Sequence, residues 1–282
     1  MEIGQQPMMQ SQETKIKPST NLLVKLGSYS VTLVLSDSND CVIKYIDKEF
    51  TEKVKPQRLS EKLDLIINES KIIISNIIDV KLIVCNKLSC LVPKNLFEEK
   101  LSLEYLKFNS KLLKNDFAAN DTIEEIGAVN VFLPFVNVNN YLIDKFGSFN
   151  YYHYSTILIK KLIKHNRKKD TSVYANIQLN NFQVLIFKSK NLIYYNNFEI
   201  KDKEDILYFI LLSIEQNKID NSKSKVSLLG EIKSESEVYL LLSKFIVNIE
   251  IINFEVEKKS IIKNIDNYSN IDYLIIWESF LD

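Results

Sequence analysis

Glycine is scarce. The chain has five in 282 residues, Gly4, Gly27, Gly127, Gly147 and Gly230, far below the average usage of roughly 7%. Phosphate cradles depend on glycine, because a backbone without Cβ lets several amide groups close on one phosphate. Neither G-x-G-x-x-G nor a P-loop occurs. Arginine is scarcer still, with Arg58 and Arg167 among 36 basic residues. Lysine offers a point charge where arginine offers a planar fork that reads guanine and phosphate. The 36 acidic residues bring the formal net charge to zero, so there is no strong nucleic-acid signal. Histidine is limited to His153 and His165, and cysteine to Cys41, Cys85 and Cys90. The C-x4-C spacing of Cys85 and Cys90 has no second pair, so no zinc pattern forms. No G-x-S-x-G positions a serine nucleophile. An odd number of thiols on apolar segments reads as reduced cysteine in a cytosolic protein. The opening Met-Glu-Ile-Gly-Gln-Gln-Pro lacks the features of a signal peptide, and no apolar run reaches eighteen residues, so no transmembrane segment is expected. The expected compartment is the cytoplasm.

What is present is an ordinary globular balance, 46% apolar and 26% charged, in a length that predicts two lobes. Residues 1–19 are polar, hold Pro7 and Pro18, and read as a disordered tail. Residues 22–26, 31–35 and 42–46 predict three short strands. Ser36-Asp37-Ser38-Asn39-Asp40 supplies the turn between the last two. A helix over 58–70 carries Leu59, Leu63, Ile66 and Ile67 at helical spacing, and residues 80–85 predict a buried strand.

The order repeats about 150 residues later. Strands are predicted at 174–179, with Tyr174, Asn176 and Gln178 on one face, and at 182–187 and 192–198. A helix follows with Asp202 as N-cap. Its body, 206–214, is apolar nearly all round, which predicts that it is sandwiched. Residues 226–229 predict a strand ending at Gly230. Ser234-Glu235-Ser236-Glu237 reads as a capping box before a helix with Val238, Leu241, Leu242, Phe245 and Ile246 on one stripe. Residues 249–254 predict another strand, and the segment from Ile271 fits either a strand or a short helix. The fold class is α/β, βββαβα given twice. Residues 95–121, with a helical segment at 101–113, have no counterpart in the second half and read as an insertion. The resulting division is a first lobe over 20–168 and a second over 169–282.

This order resembles two ribonuclease-H-like units in tandem, the frame of the actin-like ATPase fold. Leu91-Val92-Pro93, Tyr151-Tyr152-His153-Tyr154-Ser155-Thr156, Tyr195-Asn196-Asn197-Phe198, Asp205-Ile206-Leu207-Tyr208 and Leu228-Leu229-Gly230-Glu231 are similar to the wording of an uncharacterised bacterial family with that fold, a domain of unknown function. The second half also resembles actin-like cytoplasmic scaffolds of pilus and secretion assembly.

The resemblance implies two phosphate hairpins marked Asp-x-Gly, with acids for Mg²⁺ and water, and an adenosine loop with paired glycines. The first hairpin here reads Lys25-Leu26-Gly27-Ser28, with Lys25 in place of the acid. The second reads Gln178-Leu179-Asn180-Asn181, without acid or glycine. The adenosine loop has Gly230 followed by the bulky anion Glu231. A ribonuclease-H nuclease needs carboxylates on its first strands for two metal ions, and residues 22–35 and 174–187 contain none. The reading is therefore a non-catalytic protein that binds an unidentified protein partner, with no catalytic and no metal-binding residues assigned. The alternative is a degenerate ATP-binding protein without efficient hydrolysis, using Lys25, Gly27, Ser28, Gly230 and Glu231. Three further features stay open. The basic run 160–169 fits a solvated linker or a surface for RNA or acidic lipid. His153 fits a structural role. Phe146, Phe149, Tyr151, Tyr152 and Tyr154 fit a buried junction or exposed anchors.

Overall fold

Three strands open the fold. In the computed structural model, which describes residues 19–39, 41–108, 111–113, 116–166, 171–179, 181–220 and 224–252, β1 (Thr20–Gly27), β2 (Ser30–Asp37) and β3 (Val42–Glu49) form an antiparallel meander. The second turn is organised by Asp37, whose Oδ1 accepts from the amides of Asn39 and Cys41 at 2.8 and 2.9 Å. The helix α1 (Leu59–Glu69) then carries the chain back, so β4 (Ile77–Cys85) lies parallel to β1, from Leu22 beside Val80 to Gly27 beside Cys85. Pleat alternation divides β1 between two cores. Leu22, Val24 and Leu26 face α1, where Leu59, Leu63, Ile66 and Ile67 are buried; Leu23 faces the opposite way. Each such side chain contributes about 1.5–3 kcal/mol, as an upper estimate.

The chain next builds a smaller sheet. β5 (Ser89–Pro93), β6 (Ala119–Ile123) and β7 (Ala128–Phe132) pair in the order β5-β7-β6, with α2 (Ser102–Lys107) between β5 and β6. The helix expected over 101–113 is thus only six residues long. The stretch 95–121 lies within this sheet, which begins at Ser89 and ends at Phe132. Next, α3 (Val136–Phe146) packs beside α1 through Val138 and Leu142, and β8 (Asn150–His153) returns parallel to β4 as the last strand of the first sheet.

The helix α4 (Tyr154–His165) follows directly. Tyr154 through Ile159, and Leu162, are buried, because α4 runs between the two large sheets. Its side chains share one core with Leu23, Val34 and Ile83 on one side and Tyr174, Leu185, Phe187 and Leu229 on the other. This bears on two expectations. Of the basic run 160–169, Lys160 to His165 form the end of α4 with Lys164 and His165 exposed, and residues 167–169 lie outside the described residues; the C-cap Asn166 is 3% exposed and its Nδ2 donates to the Ser189 carbonyl at 2.6 Å. His165 lies at the exposed end of α4. The sandwiched helix is α4 rather than 206–214.

The second half repeats the first. β9 (Thr171–Gln178), β10 (Asn181–Lys188) and β11 (Asn191–Glu199) form a meander, α5 (Lys203–Gln216) crosses over, and β12 (Lys225–Gly230) lies parallel to β9. The sheet orders match: β3-β2-β1-β4-β8 and β11-β10-β9-β12-β13, where β13 is Ile249–Ile251. Asp202 caps α5, accepting from the Asp205 amide at 3.0 Å. Only one face of α5 is buried, by Ile206, Ile210, Ser213 and Ile214, and Tyr208 is 59% exposed. The cap of α6 (Glu237–Leu242) is Ser236, not Ser234; its Oγ accepts from the Tyr239 amide at 3.3 Å. α6 stops at Leu242, which leaves Phe245 exposed and Ile246 buried beyond the helix. The tail expected at 1–19, except residue 19, and the segment from Ile271 lie outside the described residues.

Candidate functional site

Both meanders turn the same way, so the β1–β2 and β9–β10 turns meet across the molecule. Lys25, Gly27, Ser28, Tyr29 and Ser30 from the first, Gln178, Leu179 and Asn181 from the second, Cys85 at the end of β4 and Glu231 after β12 line a cavity of about 60 Å³. Four of the five residues singled out in the sequence, Lys25, Gly27, Ser28 and Glu231, therefore share one cavity. Gly230 stands behind it. Its φ is +89°, and a Cβ there would meet the Ile177 carbonyl oxygen at 2.0 Å. Gly27 is also explained by packing, since its Cβ would lie 3.1 Å from the Cys85 carbonyl. The Lys25 ammonium sits 5.8 Å from the centre of the Tyr154 ring.

A cofactor pocket needs about 300–1,000 Å³, and one water takes about 30 Å³. The cavity has room for water and not for a nucleotide, and a Cβ at either glycine would press on a neighbouring strand. The residues present do not fit the ligand of the ATPase fold. Side chains of the two halves also bond directly. Glu199 on β11 accepts from Lys87 at 2.5 Å and from Lys53 at 3.1 Å. These bonds, the one from Lys87 foremost, hold the Glu199 carboxyl below the ordinary carboxylate range. Deeper in, the Ser155 and Tyr195 hydroxyls are 2.5 Å apart, and Gln183 Nε2 donates to Ser155 Oγ at 3.0 Å.

A larger site lies on the first half. Where the small sheet leans on β8 and α4, residues Asn120, Asp121, Thr122, Phe149, Asn150, Tyr151, Tyr152, Thr156 and Lys160 line a groove of about 380 Å³. Its floor is a carboxylate. Asp121 Oδ2 accepts from the His153 amide at 2.8 Å and from the Thr156 hydroxyl at 2.7 Å. No donor among the described residues bonds its Oδ1. Burial pushes the Asp121 carboxyl up to about 6, against the opposing pull of Thr156, the His153 amide and Lys160. Asn130 Nδ2 donates to Thr156 Oγ1 at 2.9 Å and approaches His153 Nδ1 at 3.3 Å. His153 Nδ1 also accepts from the Ser155 amide at 3.2 Å. That assigns the ring proton to Nε2, which donates to the Asn86 carbonyl at 3.1 Å. Full burial pushes the imidazole down to about 4, so it is neutral. His153 holds the start of α4 in place and does not face the groove.

The sequence-selected aromatics divide accordingly. Tyr154 is buried between the sheets, whereas Phe149, Tyr151 and Tyr152 are half-buried walls of the groove. Asp121, Asn130 and Thr156 were not singled out, and one signal pointed to the first. In Ala119-Asn120-Asp121-Thr122-Ile123 the acid shares parity with two apolar residues, and all three are buried. Asn176, placed by alternation on the polar face of β9, is buried too, with Nδ2 donating to Gln183 Oε1 at 2.9 Å and to the Tyr154 hydroxyl at 3.0 Å. Among the described residues no cluster of three or more His, Cys, Asp or Glu occurs, and no helix is long and apolar enough to cross a membrane.

Comparison with known proteins gives four findings. The family model described as "Protein of unknown function (DUF3822)" matches residues 9–249. A crystal structure from Bacteroides thetaiotaomicron, a protein with actin-like ATPase fold and unknown function, is similar over 88% of this chain and 95% of its own, with a TM-score of 0.75 and 20% identity. The PilM–PilN type IV pilus biogenesis complex is similar over 83% of this chain and 88% of its own, with a TM-score of 0.51 and 11% identity. Set against curated proteins, the chain has no match. The fold is the actin-like ATPase fold.

Proposed function

The chain belongs to the DUF3822 family of unknown function, and from that premise we propose that it is a non-catalytic, actin-like protein that acts in the cytoplasm by binding a protein partner. The frame serves as a scaffold of two lobes, 20–168 and 169–282. The observation that carries this reading is the gap between the two hairpins. It holds about 60 Å³ and is faced by Lys25, Gln178 and Glu231, where hydrolysis would need room for a nucleotide and acids for its metal. A second support is that a protein of the same fold is solved in complex with a partner, PilM with PilN. Three cysteines, none of them in a disulfide, suit a reducing compartment.

The test is a thermal-shift series with millimolar ATP, ADP or GTP and Mg²⁺, paired with an ATPase assay. A ligand at about one hundred times its Kd would stabilise the fold by about 2.7 kcal/mol. The expected outcome is no shift and no phosphate release. A shift abolished by Lys25→Ala would establish the degenerate nucleotide-binding alternative, and phosphate release would overturn the proposal outright.

A further inference from the structure

The groove of about 380 Å³ lies between two sheet edges. β8 ends the first sheet and β6 ends the small one. A strand edge presents main-chain N–H and C=O groups that a further strand can pair with. Which groups face outward on β8 follows from one hydrogen bond. The His153 amide donates to the Asp121 side chain on β6, so it points away from β4. N–H and C=O directions alternate along a strand, and Tyr151, two residues earlier, therefore turns its own N–H and C=O toward the groove. At that end the Asp121 side chain bridges the two edges, and Asn150 and Asn120 also line the groove.

We propose that this groove docks an extended peptide segment of a partner protein, added as a strand to the Tyr151 edge of β8, with a lysine or arginine side chain set against Asp121 Oδ1. The proposal rests on the partner-binding reading and gives it a site. Main-chain pairing supplies affinity, and alternate side chains supply specificity. A peptide matching β8 in length spans roughly 13 Å. Phe149 and Tyr151, whose ring centres are 5.7 Å apart, form an aromatic wall for it. The cation follows from Asp121. Both bonds to this carboxylate fall on one oxygen; Oδ1 is not among the buried side-chain atoms without a partner and is open to the groove, where a cationic donor would make the stronger, charge-assisted bond. The same carboxylate disfavours phosphate and nucleic acid, for which Lys160 supplies the one cation in the groove lining.

The experiment is selection of a random-peptide phage library on the full-length protein, followed by calorimetry with the enriched peptides. The expected result is enrichment of sequences with lysine or arginine, and binding weakened about tenfold or more by Asp121→Asn. That change keeps an acceptor for Thr156 and His153 while removing the charge. Tyr151→Pro removes the outward N–H, a change an edge strand tolerates, and should abolish binding while circular dichroism stays unchanged. One arm needs no variant: N-methylation of every second peptide residue should abolish binding in one register and leave it within about twofold in the other. No enrichment over a blank surface overturns the proposal. So does binding that ignores both N-methylation and Asp121→Asn. Either failure leaves the nucleotide test unaffected, so a wrong groove and a wrong function are told apart.

Discussion

The gap between the hairpins and the groove beside β8 differ in where their walls come from: both halves line the gap, and the first half alone lines the groove. The first stands where the resemblance to the actin-like ATPase fold implies the phosphate hairpins, and it is closed to about 60 Å³. The second holds about 380 Å³ and exists only because the first half carries something the second lacks. Both sheets have their strands in the same order. In the second half the crossover between the fourth and fifth strands is the short α6. In the first half it is the small sheet with α2 and α3, and the edge of that sheet makes one wall of the groove. The frame is shared between the halves, and the added crossover is where a binding surface arises. Function on a common fold follows such additions and not the frame.

The largest effect that would sharpen this contrast is at Gly230. If the glycine belongs to the frame and not to a ligand, alanine must cost folding free energy. An L-residue at φ +89° is strained, by about 1–3 kcal/mol, and the new Cβ would press on the Ile177 carbonyl. Urea unfolding of Gly230→Ala should show a loss of about 3 kcal/mol or more. Gly27→Ala, which meets Cys85 at 3.1–3.3 Å with room for a small adjustment, should lose only about 1 kcal/mol. Equal, negligible losses at both positions would return the two glycines to a ligand-binding role.

A second effect separates the buried groups beneath the groove by pH. Asp121 is raised to about 6, so between about pH 4 and 6 the folded protein keeps a proton that the unfolded chain releases, and stability falls as pH rises. His153 is lowered to about 4, so the unfolded chain binds a proton that the folded one refuses, and stability rises with pH up to about 6.5. Each slope is worth about 3 kcal/mol at about 1.4 kcal/mol per unit, and over the shared window they oppose each other. Asp121→Asn removes one of them. Its stability, from urea titrations at several pH values, should climb by about 3 kcal/mol more than that of the parent between pH 4 and 6. Parallel curves would show that Asp121 is solvated and that the groove floor is misread.

The strand triplets were legible because each strand is a short aliphatic run bounded by turn residues, and the grouping of Lys25, Gly27, Ser28 and Glu231 was what the resemblance to the actin-like ATPase fold implied. The groove was not legible as a site. Its residues come from β6, β8 and α4, which are separated in sequence by β7 and α3, and their meeting is a tertiary fact. The sandwiched helix was misread for a physical reason. Residues 206–214 are more apolar than α4, but burial follows position between layers, and α4 is buried from Tyr154 through Ile159 although it carries Ser155 and Thr156. The polar side chains of α4 are tolerated because Asp121, Asn130, Tyr195 and Gln183 satisfy them, and no local pattern reveals such partners.

The smallest effect asks what closes the gap. Glu199 joins Lys53 and Lys87 of the first half, but its side chain is 41% exposed and the lysines are about half exposed. Pairs of that kind contribute about 0–1 kcal/mol and weaken with salt. The packing of α4 between the sheets contributes far more, since truncating one buried aliphatic side chain costs about 2–5 kcal/mol. Glu199→Gln should therefore change stability by less than about 1 kcal/mol, with the difference shrinking at high salt. Amide exchange at the β1–β2 turn and at Leu179 should stay as slow as in the parent. Faster exchange there, without loss of global stability, would mean that the ion pairs act as a latch and that the gap opens when they are released. The two cavities would then differ in state and not in kind, and the nucleotide test would have to be repeated on the unlatched protein.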